Sequence, residues 1–128
     1  MKINTQQFGE VEFKEDHIVK IPDGLFGFEN LKRYLFIKTE NDLFYWLNSV
    51  DEPEIALPLV GIKVIDKDYP ELEEFEPFGI VKMSKNPTDI TINLKAPVYI
   101  NQNSKSGVQK IIDNEKYLID YNLFVEDK

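Results

Sequence analysis

The run Tyr34-Leu35-Phe36-Ile37-Lys38, the polar break Thr39-Glu40-Asn41-Asp42 and the run Leu43-Phe44-Tyr45-Trp46-Leu47 decide the fold class. Aromatic and aliphatic side chains fit a pleated, half-buried surface, so the two runs read as paired strands around a polar turn. The same pattern continues on both sides. Ile3 to Phe8 ends at Gly9 and Val11 to Phe13 follows at once, which predicts a tight early hairpin. His17-Ile18-Val19-Lys20-Ile21 closes at Pro22-Asp23-Gly24, where proline presets φ and glycine accepts a positive φ. Phe28 to Tyr34 is the segment with helical character. Ile55 to Ile65 contains Pro58 and Gly61, and proline lacks a ladder donor, so an edge or a bulge is expected there. Gly79 to Met83, Ile90 to Leu94, Val98 to Asn101 and Val108 to Ile112 are further apolar runs, before a polar tail. Crossover helices of about ten residues or more, which a parallel sheet needs, are missing. About ten short strands therefore predict an all-β class: a small antiparallel sandwich or β-barrel-like single domain over residues 1–128, with one or two short helices.

At 128 residues and 42% hydrophobic composition, one core forms without staples. The chain has no cysteine, which excludes disulfide frameworks, thiolate zinc sites and cysteine nucleophiles. The opening Met1-Lys2-Ile3-Asn4-Thr5-Gln6-Gln7 lacks the apolar stretch of a secretory signal, and no run approaches the roughly 20 apolar residues of a membrane span. A cytoplasmic setting is the expectation. The formal charge of −8 is unevenly spread, net −9 over residues 1–80 and net +1 over 81–128. A negative surface repels phosphate backbones and acidic membranes, so direct nucleic-acid binding is not expected. Basic proteins are the electrostatically favoured partners.

Chemistry-bearing motifs are sparse. His17, the only histidine, opens an apolar strand, with no nucleophile or orienting group in a recognisable pattern. The glycines occur singly, without a phosphate-loop sequence. The carboxylates stand out: Asp66, Asp68, Glu71, Glu73, Glu74 and Glu76 crowd one segment, and Asp51, Glu52 and Glu54 another. Calcium-loop spacing is absent, which leaves a solvated loop or a docking surface for a basic partner. Three consecutive aromatics, Phe44-Tyr45-Trp46, cannot all face inward on one strand, so Tyr45 or its two neighbours must face outward or into an interface. Together with Phe26 and Phe28 they mark candidate interaction surface.

The blocks Met1-Lys2-Ile3-Asn4-Thr5 with Phe8-Gly9-Glu10-Val11, Ile21 to Glu29, Trp46 to Pro53, Ile90 to Asn101, and Gly107 to Asn114 occur in the order seen in the FliW family of flagellar assembly factors, which this chain resembles. The resemblance implies a β-barrel-like fold, no enzymatic activity and no cofactor. It also implies two protein partners, flagellin and the RNA-binding translational regulator CsrA. In that family, protein released as flagellin is exported binds CsrA and relieves repression of flagellin translation. On this reading Asp66, Asp68, Glu71, Glu73, Glu74 and Glu76 are the first candidates for binding the basic partner, and Asp51, Glu52 and Glu54 are the second choice. Phe26, Phe28 and Tyr45 serve flagellin, and the free chain is a monomer. The rival expectations are a barrel that binds a small ligand and an assembly subunit.

Overall fold

The computed structural model describes residues 1–38 and 43–124. Among these lie eleven strands: β1 Lys2–Thr5, β2 Gly9–Glu12, β3 Ile18–Lys20, β4 Arg33–Lys38, β5 Tyr45–Ser49, β6 Ala56–Gly61, β7 Glu76–Lys82, β8 Thr91–Ile92, β9 Val98–Asn101, β10 Ser106–Gln109 and β11 Tyr121–Asn122. Seven of them close into a barrel in the order β7-β6-β5-β4-β3-β10-β9 and back to β7. Neighbours run antiparallel except at one junction, where β3 and β10 pair in parallel through Lys20 and Ser106. The decisive hairpin of the sequence is present as β4–β5, with Phe36 opposite Leu47 and Ile37 opposite Trp46. Its turn, Thr39 to Asp42, lies outside the described residues. The early hairpin is β1–β2, closed where the Thr5 hydroxyl accepts from the Phe8 N–H at 2.8 Å and donates to the Gly9 carbonyl at 2.9 Å.

Closure explains how β7 serves three neighbours. Its first residues, Glu76 to Phe78, pair with β9, while Val81 and Lys82 pair with β8, and β6 lies along its other edge. Gly79 sits where these pairings change over. A Cβ there would stand 2.4 Å from Ile92 Cγ1, so only glycine lets β8 approach. Beyond β8, the chain end supplies β11, paired Tyr121 with Ile92. The tail read as polar is thus partly a strand.

Two other expectations change. Phe28 to Tyr34 is not a helix: Leu31 N–H bonds the Phe28 carbonyl in one isolated turn, and Arg33 onward joins the sheet as β4. A segment this short has too few internal hydrogen bonds to stand against two flanking strands. The helical turns of the described residues are short 3₁₀ pieces elsewhere, at Glu15–His17, Ile62–Val64 and Pro87–Asp89. Pro58, expected at an edge or a bulge, lies in β6 inside the barrel wall. It opposes Trp46, and the ladder to β7 begins only at Leu59, so the missing donor falls where β7 does not pair.

The barrel interior is filled by Val19, Ile21, Leu25, Tyr34, Leu47, Leu59, Phe78, Val98 and Ile100. A seven-stranded barrel has room for its own side chains and little more. A second cluster, with Tyr69, Ile92, Leu94, Tyr99 and Tyr117, fastens β8 and the chain end to the outside of the wall. A third places Ile3 and Phe13 of the N-terminal hairpin segment over Ile18 and Leu35.

Tyr34 is fully buried, and its hydroxyl has no hydrogen-bond partner among the described residues. Burial pushes its pKa from the ordinary 10.0 up to about 12. The folded protein therefore keeps a proton that the unfolded chain releases. The corresponding stability is intact below pH 10 and is lost as pH rises from 10 to about 12. Tyr34→Phe removes an unpaired buried donor, so it is expected to leave stability at pH 7 unchanged or to raise it by about 1 kcal/mol. It is also expected to delay alkaline unfolding. Urea titrations at pH 7 and pH 11 check both, and a loss at pH 7 would reveal a partner for the hydroxyl.

Candidate protein-binding surfaces

Two turns of the same form carry opposite chemistry. Leu25-Phe26-Gly27-Phe28 and Leu72-Glu73-Glu74-Phe75 each close with a fourth-residue N–H bonded to the first carbonyl, at 2.7 and 2.9 Å. In both, the third residue alone has positive φ, 88° at Gly27 and 70° at Glu74, which is the type II pattern. Glycine takes this conformation freely. Glutamate does so at a strain of about 1 kcal/mol. One turn presents Phe26, 51% exposed, and the other presents Glu73 and Glu74, both exposed.

The acidic segment is not one uniform patch. Asp66 is held inward: Oδ1 accepts from the Asp68 N–H at 3.0 Å, Oδ2 accepts from the Tyr117 hydroxyl at 3.1 Å, and the Lys116 ammonium lies at 3.7 Å. The Asp68 N–H foremost, then Tyr117 and Lys116, hold its carboxyl below the usual range. Asp66 is thereby a fastener for the chain end. Glu71 pairs with Lys63 at 2.6 Å, which lowers its pKa. Asp68, Glu73, Glu74 and Glu76 are exposed and face solvent. Among the described residues, no three His, Asp or Glu side chains converge as a metal site requires.

The second acidic set lies on a firmly built loop. Asn48 and Ser49 at the end of β5 are fully buried. Asn48 Nδ2 donates to the Ser49 and Pro53 carbonyls, and Ser49 Oγ accepts from the Glu52 N–H at 3.0 Å. The Arg33 guanidinium grips Asp51 through two hydrogen bonds, at 2.7 and 3.2 Å, and holds the Asp51 carboxyl below its usual range. Glu52 and Glu54 remain exposed.

The aromatic candidates separate as well. Tyr45 turns inward, half-buried, stacked on Phe36 at 5.1 Å and edge-on to Phe78 at 5.0 Å. Trp46 takes the opposite face and meets the edge of Phe8 at 6.0 Å. Phe28 is half-buried against the interior cluster, so Phe26 is the one of the three aromatics proposed for flagellin that projects. His17 is exposed, and its Nδ1 accepts from the Lys14 N–H. Exposed apolar side chains on the chain end, Leu118, Ile119 and Tyr121, were not legible as surface. The segment reads as a polar tail in the sequence, yet Tyr117 and Leu123 pack inward there.

These features define a small closed β-barrel with a filled interior, rigid turns and an acidic exterior. The family model described as FliW protein matches residues 2–123, and the chain belongs to the FliW family, whose curated members are named flagellar assembly factors. It is 35% identical to the "Flagellar assembly factor FliW" of Caldanaerobacter subterraneus subsp. tengcongensis, over 100% of this chain and 96% of that protein. The protein of the same name from Caldicellulosiruptor saccharolyticus is 33% identical, covering 95% of this chain and 90% of the other. A crystal structure of the flagellar assembly factor FliW superposes with a TM-score of 0.86 at 27% identity, covering 98% of both chains. The fold expectation and the family resemblance are thus both met. Among the described residues, no helix is long and apolar enough to cross a membrane.

Proposed function

We propose that this chain is a cytoplasmic binding protein that alternates between flagellin and the RNA-binding regulator CsrA, and that it acts by binding, not by catalysis. Family membership supports the setting. The unequal charge, net −8 overall and concentrated before residue 81, is the observation that carries the choice of a basic partner. A regulator that holds RNA carries basic surface, and opposite fields steer encounter. Flagellin presents apolar segments before export, and Phe26, the exposed one among Phe26, Phe28 and Tyr45, is the candidate cover. A small-ligand barrel would need an internal cavity, and here Tyr34, Leu47, Leu59 and Phe78 occupy the interior.

Calorimetry with both partners from the same organism tests this reading. Binding to each, with flagellin displacing the regulator, is expected; binding to neither by folded protein overturns it. Within it, Asp68, Glu73, Glu74 and Glu76, the exposed acids of the 66–76 segment outside the Lys63–Glu71 pair, are the ones to reverse to lysine. Stopped-flow mixing with the regulator is expected to show an association rate lower by about tenfold and a flatter salt dependence. An unchanged rate removes this segment from the encounter.

A further inference from the structure

We infer that the face formed by the Leu25–Phe28 turn and the 49–55 loop is a docking site for a basic protein segment that carries an apolar anchor. The inference deepens the functional reading above and rests on it: this face holds the basic partner, and the 66–76 segment steers it.

Phe26 is a built knob. Its N–H donates to Gln109 Oε1 at 2.8 Å, the Gly27 N–H donates to Glu29 Oε2 at 2.9 Å, and the Phe28 N–H closes the turn. Gln109 is itself fixed, with Nε2 on the Ala96 carbonyl at 2.9 Å. Three successive backbone donors are satisfied, so the knob is held in place before any partner arrives. An exposed, pre-ordered aromatic loses little freedom on binding and supplies a large apolar contact.

Glu52 stands beside the turn. Gly27, Phe28 and Glu29 line one depression together with Glu52. Arg33 is spent on Asp51, and Lys32 turns its ammonium onto the Pro22 carbonyl at 2.8 Å. Glu52 and Glu54 form no ion pair with a described residue. Inside the loop that bears them, wholly buried Asn48 leaves its Oδ1 without a partner. The unpaired, exposed carboxylates suit lysine or arginine donors and disfavour an acidic partner. A projecting aromatic turn next to a depression lined by the free carboxylate of Glu52, with Glu54 on the same loop, therefore fits a segment with an apolar side chain flanked by basic ones. The knob is also the flagellin candidate, so one face holding both partners gives their exchange a steric basis.

The test uses the whole protein and the CsrA regulator of the same organism. Phe26→Ala and the double variant Glu52→Lys/Glu54→Lys change exposed side chains, and thermal melts by circular dichroism establish that both fold. Phe26→Ala is expected to weaken binding by about tenfold to a hundredfold through faster dissociation. The double variant is expected to weaken it by at least about tenfold at low salt and to reduce its salt dependence. Wild-type affinity in both folded variants overturns the face while leaving the function standing. Failure of the wild type itself to bind the regulator overturns the functional reading, and this assignment falls with it.

Discussion

Truncating Phe78 to alanine is expected to cost about 4 kcal/mol of folding stability, measured by urea unfolding through the fluorescence of the single tryptophan. Phe78 is fully buried at the centre of the barrel, edge-on to both Phe36 and Tyr45 at 5.1 and 5.0 Å. Its strand is the one that closes the barrel. Phe78 opposes Gly61 of β6 on one side and Val98 of β9 on the other. Removing the ring takes away its apolar burial and two aromatic contacts, and it leaves a void that a closed wall cannot collapse to fill. A domain of this size has only about 5–15 kcal/mol in total, so the variant is expected to keep about 1–11 kcal/mol and to unfold at a markedly lower urea concentration than the wild type. Phe26→Ala is the internal control. It removes the same ring from a surface turn and is expected to change stability by no more than about 0.5 kcal/mol. A loss below about 1 kcal/mol at Phe78 would mean that the barrel is not closed around it.

The contrast between these two phenylalanines marks what was legible in the sequence. Alternation along β4 and β5 was enough for the paired strands, because period-two burial follows from the backbone of each strand. Gly24 after Pro22-Asp23 was legible as a turn for a similarly local reason, and its φ is +69°. Closure was not, since the parallel contact of Lys20 with Ser106 joins segments that share no local signal. Phe28 to Tyr34 misled because helix propensity is weak against two flanking strands that offer ladder partners. The candidate surface divides along the same line. Acid-rich segments at 51–54 and 66–76 are visible as composition. That Arg33 neutralises Asp51 while Glu52 stays free depends on side chains brought together from β4 and the loop after β5. Tyr45 faces inward because register puts it with Leu47, and the triplet Phe44-Tyr45-Trp46 left both alternatives open.

Gly24→Ala is expected to destabilise the protein by about 3 kcal/mol and to weaken regulator binding at temperatures where the variant is still folded. Two effects add. At φ +69° an L side chain is strained by about 1 kcal/mol. The new Cβ would also stand 2.6 Å from both Cα and O of Glu29 and 2.8 Å from its carbonyl carbon. These are backbone atoms and cannot rotate away, so the 24–29 segment must shift, at about 1–3 kcal/mol. Gly27→Ala separates the two effects. Its φ of +88° brings the same strain, but nothing lies within 4 Å of the added carbon. About 1 kcal/mol is therefore expected at Gly27, and the difference between the variants measures the Gly24–Glu29 contact alone. That contact bears on recognition, because Glu29 supplies the carboxylate that holds the Gly27 N–H and with it the aim of Phe26. Displacing Glu29 frees the knob, so binding must then order it. The loss is expected in the dissociation rate, with the association rate still set by charge. If Gly24→Ala melts early yet binds with the wild-type dissociation rate when folded, the turn is a structural element only and the knob does not need its support.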